Sequence, residues 1–337
     1  MAVWLCFCLL FVTGPDPGVS NAHYTRKAAH GDSGAAGSGL ITQVRARAED
    51  ALDPGLPPDA AALLQGMALG DASHMSSRAK EDFRRASLTH VVAASGQNIA
   101  LLLALVLPAL GFLGMGLRAR LVTAVGLVVL YVPLAGGEAP IRRAAVMALV
   151  GVAGRVRGSQ ADAWHALGVA GTVTLVADRA SSASLGWQLS FAAVAGMLAL
   201  GPPLKNRLES LRIPPVLAEA GAVTIAATIA TAPLIAWKVG RLSLVGIPAN
   251  LLAAPAVAPA MWLGITAAAL GQISTSLAAP LAMLAAIPVS SVLEVAHAMA
   301  SPSWASVGWH PSGSLAATML ILTVFGPLAI GRGRKAA

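Results

Sequence analysis

From Thr89 onward the chain is a succession of apolar segments separated by short turns that carry charge, glycine or proline, and this succession limits the fold more than any other feature. A helix that crosses a hydrocarbon layer of about 30 Å needs roughly 20 apolar residues. Nine segments reach or approach that length: Thr89 to Leu113, Leu117 to Ala135, Ala139 to Gly154, Ala161 to Ala177, Ser184 to Gly201, Pro214 to Ala236, Leu242 to Leu270, Ser276 to Met299 and Ser314 to Ile330. The seventh is too long for one crossing and holds Pro248, Pro255 and Pro259. It predicts a broken half-helix followed by a complete crossing, the arrangement found where backbone lines a cavity. The expected fold is an all-α polytopic membrane protein of about nine transmembrane helices, with one broken or re-entrant segment, preceded by an amphipathic interfacial helix.

Composition agrees. The 337 residues are 56% apolar and only 11% charged, against about a quarter charged in ordinary globular chains. Much of the outer surface must face lipid, which excludes a soluble enzyme, a fibrous protein and a disordered tail. Cys6 and Cys8 stand two apart in one apolar run, so no disulfide framework is expected.

Upstream of the apolar succession the chain divides at about residue 60. Residues 1–60 read as a short apolar segment followed by a polar linker or the remnant of a soluble external domain; residues 61–337 read as the transmembrane domain. Ala2 to Val12 is too short to cross a bilayer, and no basic residue precedes it. The patch Leu40 to Arg47 is compatible with a short strand. Between Ala60 and Leu88 the pattern is helical and amphipathic, with Ser76 or Ser77 placed as a cap, and with Arg78, Lys80, Arg84 and Arg85 forming a basic face.

Orientation follows from the basic residues in the turns. One side holds ten, namely Arg118, Arg120, Arg155, Arg157, Lys205, Arg207, Arg212, Arg332, Arg334 and Lys335, and the other five, Arg142, Arg143, Arg179, Lys238 and Arg241. The expected arrangement is a multi-pass membrane protein with a cytoplasmic C-terminus and an external N-terminal region.

Polar side chains inside the apolar segments mark candidate sites, because such groups must be paired or must face water. Ser95, Gly96, Gln97 and Asn98 interrupt an otherwise apolar run. Arg142 and Arg143 open the third segment; adjacent helical positions point about 100° apart, so only one of the two can face a given path. Gln188 and Ser190 lie in the fifth segment, and Asn250 sits at the expected break of the seventh. Thr224, Thr228 and Thr231 share a face of the sixth, where hydroxyls commonly bond to their own helix. No Walker-type phosphate loop, H-E-x-x-H or H-x-H-x-D cluster occurs, and the single E-x-x-H of Glu294 and His297 is not a di-iron set. No catalytic residue, metal or cofactor is expected.

Taken in order, these segments resemble the ComEC competence family, specifically its polytopic membrane domain. The resemblance runs from about Leu63 and is carried by L-L-Q-G-M-A-L-G-D (Leu63 to Asp71), F-R-R-A-S-L-T-H-V-V-A-A-S-G-Q-N-I-A-L-L (Phe83 to Leu102), I-R-R-A-A-V-M-A (Ile141 to Ala148), G-W-Q-L-S-F (Gly186 to Phe191) and the stretch from Ala230 to Pro255. One departure matters: Asn98 stands where the family typically has histidine, and asparagine cannot titrate. Full-length members also carry an external OB-like domain, expected here at most as a remnant, and a metallo-β-lactamase-like domain, not expected in this sequence.

The resemblance implies a channel that passes single-stranded DNA into the cytoplasm during natural transformation. Such a conduit would be lined by Ser95, Gln97, Asn98, Arg142, Arg143, Gln188, Ser190 and Asn250, with the basic face of Arg78, Arg84 and Arg85 gathering the strand at the mouth. The implied partners are single-stranded DNA, membrane lipid, and an external DNA receptor with a cytoplasmic motor or nuclease on separate chains. Two other readings compete. A rhomboid-like intramembrane serine hydrolase would use Ser95 as nucleophile with His165 or His297 as base. A small-solute transporter would bind at a broken helix around Asn250, although Glu219 and Glu294 are the chief acids available for ion coupling.

Overall fold

The apolar segments are mainly helical, and the interruption falls in the first of them, not in the seventh. The computed structural model describes residues 38–93, 95–156 and 162–333, apart from the side chains of 38, 155, 156 and 324–333. The N-terminal apolar run with Cys6 and Cys8, together with Ala94, Arg157, Arg334 and Lys335, lies outside the described residues. In chain order the elements are α1 (Ser38–Leu52), α2 (Pro58–Leu69), α3 (Ser77–Arg85), α4 (Thr89–Val92), α5 (Gly96–Phe112), α6 (Leu117–Leu134), α7 (Ala139–Val156) and α8 (Ala163–Ala177). There follow α9 (Leu185–Ser210), α10 (Pro215–Val239), β1 (Arg241–Ser243), α11 (Gly246–Gly271), α12 (Thr275–Ala300), β2 (Ser306–Gly308) and α13 (Gly313–Gly333).

Among the described residues, five helices are both long and apolar enough to cross a membrane: α6, α9, α10, α11 and α12. Three further apolar helices fall short for visible reasons: α5 has 17 residues and α8 has 15, and α7 carries Arg142, Arg143 and Arg155. The expected break at Asn250 is absent: α11 is one helix of 26 residues that contains Pro255 and Pro259. Pro248 lies in its first turn, where the missing N–H had no helical partner to lose. The seventh segment is shortened instead at its start, because Leu242 belongs to β1.

The interfacial helix expected over Ala60 to Leu88 is two helices with different environments. α2 is almost wholly buried, from Ala60 to Leu64 and from Gly66 to Leu69. α3 is the amphipathic piece: Ser76 caps it, its hydroxyl accepting from the Ala79 N–H at 3.1 Å, while Ala79 and Phe83 face inward. Leu40 to Arg47 is helical, not a strand. α1 gains an Arg45–Glu49 ion pair one turn apart at 2.9 Å and buries Ala48, Ala51 and Leu52.

The chain forms two units. The first comprises Ser33–Ala161 and Pro248–Ala305, and the second is built around Asp162–Ile247 and Ser306–Ala337. In the first, α12 packs on α1, α2 and α3, while α5, α6 and α7 pack on one another. Small residues permit close approach: a methyl group at Gly271 would lie 2.2 Å from the Ala51 Cβ. In the second, α9 and α10 run along each other and both contact α13. Gly196 sits where a Cβ would meet that of Ala230 at 2.3 Å.

Candidate functional site

The S-G-Q-N stretch forms a break between helices. α4 ends at Val92, Ala93 and Ser95 are extended (φ −77°, ψ 146° and φ −122°, ψ 169°), and α5 begins at Gly96. The Ser95 hydroxyl donates to the Asn98 side-chain oxygen at 3.0 Å. Asn98, 4% exposed, spends its amide N–H on the Met67 carbonyl at 3.0 Å, with the Tyr131 oxygen at 3.5 Å. The Tyr131 hydroxyl in turn donates to the Ala68 carbonyl at 2.8 Å. Met67 and Ala68 lie in the last turn of α2, where helix carbonyls have no partner of their own. Asn98 and Tyr131 therefore satisfy the end of a buried helix and tie α2 to α5 and α6.

The two arginines of α7 separate as their helical spacing requires. Arg142 is exposed and donates from Nε to the Gly137 carbonyl. Arg143 is 5% exposed. Its guanidinium lies against the start of α5, so that a methyl at Gly96 would be 2.8 Å from Nη2 and 3.1 Å from the Ala144 Cβ. A side chain at 96 would therefore crowd the Arg143 guanidinium and the Ala144 methyl group. The N-terminal end of a helix carries partial positive charge, and here a full positive charge sits beside it. Ser95, Gly96, Asn98 and Arg143 meet at this break, with Gln97 exposed next to them. Asn250 is half-buried near the start of the unbroken α11.

In the second unit, G-W-Q-L-S-F holds a turn together. Asp178 accepts from the Ala180 N–H at 3.0 Å and from the Ser181 hydroxyl at 2.8 Å. Ser184 caps α9 through the Trp187 N–H, and Trp187 Nε1 donates to Thr174 Oγ1 at 3.1 Å. Gln188, 3% exposed, donates to the Ser182 carbonyl at 3.0 Å. Its buried Oε1 has no hydrogen-bond partner among the described residues. Ser190 is half-buried on the same helix. Thr231 bonds to the Ala227 carbonyl of its own helix at 2.8 Å.

The basic face of α3 is largely engaged. Arg84 forms two bonds to Glu81 at 2.8 and 2.6 Å, and Arg85 donates to the Pro302 carbonyl at 2.7 Å. Lys80 donates to the Ser73 carbonyl at 2.8 Å, and Arg78 is exposed. His297 of α12 meets Asp82 of α3 at 2.9 Å. Outside the helices, burial pushes the Asp71 carboxyl up, but hydrogen bonds from Ser73 and the Arg45 guanidinium outweigh it and hold the group below its usual value.

Sequence reasoning missed Tyr131 and Thr174. The chain has two tyrosines, and a phenol in an apolar helix signals a hidden acceptor, because a buried hydroxyl needs a partner. Thr174 carries no such signal, since most helical threonines bond backward to their own turn.

Helices long and apolar enough to cross a bilayer define a helical membrane protein. The chain belongs to the Competence protein family, whose family model matches residues 67–335, well over half of its length. It is also similar to ComE operon protein 3 of Bacillus subtilis (strain 168), at 24% identity over 203 residues, covering 59% of this chain and 25% of that relative. The chain thus spans about a quarter of the length of the curated relative it matches. No solved structure matches it.

Proposed function

We propose that the chain is the membrane conduit through which single-stranded DNA enters the cytoplasm during natural transformation. The observation that carries this reading is the interrupted backbone at Ala93 and Ser95 with the Arg143 guanidinium set against Gly96. Non-helical backbone among membrane helices persists where it is buried in protein or lines water. A buried arginine beside a helix N-terminus makes that place electropositive. A strand leaving water loses hydration and counterions, and cations with hydrogen-bond donors must replace them. Membership of the Competence family supports the same reading.

In this reading Arg143 meets the phosphates, and Gln97 and Ser95 supply adjacent polar contacts. Asn98 and Gln188 act through the helices they fix, and Ser190, Asn250 and Arg142 contribute secondary contacts. Arg78, exposed on the basic face of α3 together with Lys80 and Arg84, gathers the strand at the mouth. Nine crossings, a cytoplasmic C-terminus and an inner-membrane location complete the proposal, with direction supplied by a receptor, motor or nuclease on other chains.

The hydrolase reading is less well supported, because the Ser95 hydroxyl donates to an amide oxygen that cannot act as a general base. The transporter reading loses its ground with the continuity of α11.

The test is uptake of fluorescent DNA into cells carrying Arg143→Ala, Arg143→Lys or Arg142→Ala at equal membrane protein level. Loss in Arg143→Ala, partial recovery in Arg143→Lys and a smaller effect in Arg142→Ala are expected. Undiminished uptake in Arg143→Ala would remove the proposal.

A further inference from the structure

We infer that the two-stranded ribbon of β1 and β2 is an interfacial anchor that lays one apolar face into the headgroup and upper acyl region of an anionic bilayer. The inference rests on the membrane character of the fold and is independent of the conduit reading.

The local sequence dictates the ribbon. Gly240 ends α10 in the left-handed region (φ 72°). An L side chain there would be strained and would also place its Cβ 1.8 Å from His310 Cε1. The chain then pairs antiparallel, Arg241 with Gly308, Leu242 with Val307 and Ser243 with Ser306. The Trp309 N–H extends the ladder to the Gly240 carbonyl at 3.1 Å.

Side chains alternate across a strand, and residues directly opposite in an antiparallel pair share a face. One face therefore carries Leu242, Val307 and Trp309, with Leu244 following in period. The other carries Arg241, Ser243 and Ser306. The apolar face is open: Leu244 is 55% exposed, Val307 45% and Trp309 37%. A ribbon this short does not leave such a face in water without cost.

Three observations select lipid as the occupant. The ribbon joins the end of α10, an apolar helix long enough to cross a membrane, to the start of α13. The adjoining helices carry exposed apolar residues of their own, Ile229 and Val239 on α10 and Leu315 and Leu322 on α13. Its chemistry is also interfacial: Lys238 lies 4.0 Å from the Trp237 ring centroid, and Arg241 stands on the opposite face to Trp309. Tryptophan with lysine or arginine at the end of an apolar helix suits the headgroup layer, where the ring is half-buried and the cation meets phosphate.

The test uses the full-length chain with Cys6 and Cys8 replaced by serine, a single cysteine introduced as Val307→Cys or Ser306→Cys, and an environment-sensitive fluorophore on that thiol. The protein is reconstituted in vesicles of phosphatidylcholine and phosphatidylglycerol. The label at 307 should be quenched by lipids spin-labelled high on the acyl chain at least about threefold more than by aqueous iodide, and the label at 306 should show the reverse preference. Quenching at 307 by iodide alone would overturn the inference. So would shielding of 307 by a single-stranded oligonucleotide, which would make the face a base-stacking surface, or protection from both quenchers, which would mean that protein covers it. A check without label compares the wild type with Trp309→Phe: the substitution should remove part of the fluorescence that brominated lipid quenches, and an unchanged quenched fraction contradicts the anchor.

Discussion

The two units use their buried polar groups differently. In the second unit, Asp178, Ser181, Ser184, Trp187 and Thr174 bond to one another or to nearby backbone, so the polar side chains close a turn between α8 and α9. In the first, Asn98 and Tyr131 likewise satisfy the end of α2, but a buried cation is added beside a break in the backbone. A group whose partners are all local stabilises; a buried cation at a helix N-terminus also changes the potential of the place it occupies. Sequence motifs of similar polarity therefore serve as a brace in one unit and as a candidate site in the other.

The largest expected effect comes from removing that distinction. Arg143→Ala should lower transformation by at least about 100-fold at equal protein level, corresponding to roughly 3 kcal/mol. Gln188→Leu, which cuts a bond within the brace, should lower it less than about threefold. Equal losses in the two variants would mean that both positions only support the fold.

Stability sharpens the comparison from the other side. Asn98→Ala leaves the Met67 carbonyl buried without its donor and should cost about 1–3 kcal/mol, read as a lower melting temperature in detergent. Tyr131→Phe removes the bond to Ala68 and should cost about 1 kcal/mol. Trp187→Phe, which frees the Thr174 hydroxyl, should cost about the same in the second unit. If Asn98→Ala left stability unchanged while abolishing uptake, Asn98 would belong to the site itself.

The residues explain which of these roles could be read from the chain. Period and length marked the helices, the cap at Ser76 was legible from its position, and the 100° between adjacent helical residues foretold that Arg142 and Arg143 would part. Pro248, Pro255 and Pro259 suggest a break that α11 does not make, whereas the extended backbone at Ala93 and Ser95 has no proline to announce it. α1 was obscured by the alternating pattern of I-T-Q-V-R-A-R-A, and its helicity depends on the Arg45–Glu49 pair and on burial against distant elements. The groups that meet the Asn98 amide nitrogen lie 31 and 33 positions away, beyond the reach of any local pattern.

The smallest effect is electrostatic. The folded-state pKa of Asp71 is depressed, so its contribution is present above the unfolded value near 4 and is lost as pH falls through the lower folded value. Asp71→Asn should flatten acid sensitivity below about pH 4 and cost less than about 1 kcal/mol near neutrality, since the Arg45 pair is partly exposed. Thermal melts across acid pH measure both quantities.

The most direct measurement places a photo-crosslinking amino acid at Gln97, exposed beside the break, or at Trp187 in the brace, and irradiates cells while labelled DNA is being taken up. Covalent capture of the strand at 97 and none at 187 is the expected result. Uptake that proceeds with no capture at 97, or with equal capture at both positions, would contradict passage of DNA beside Arg143.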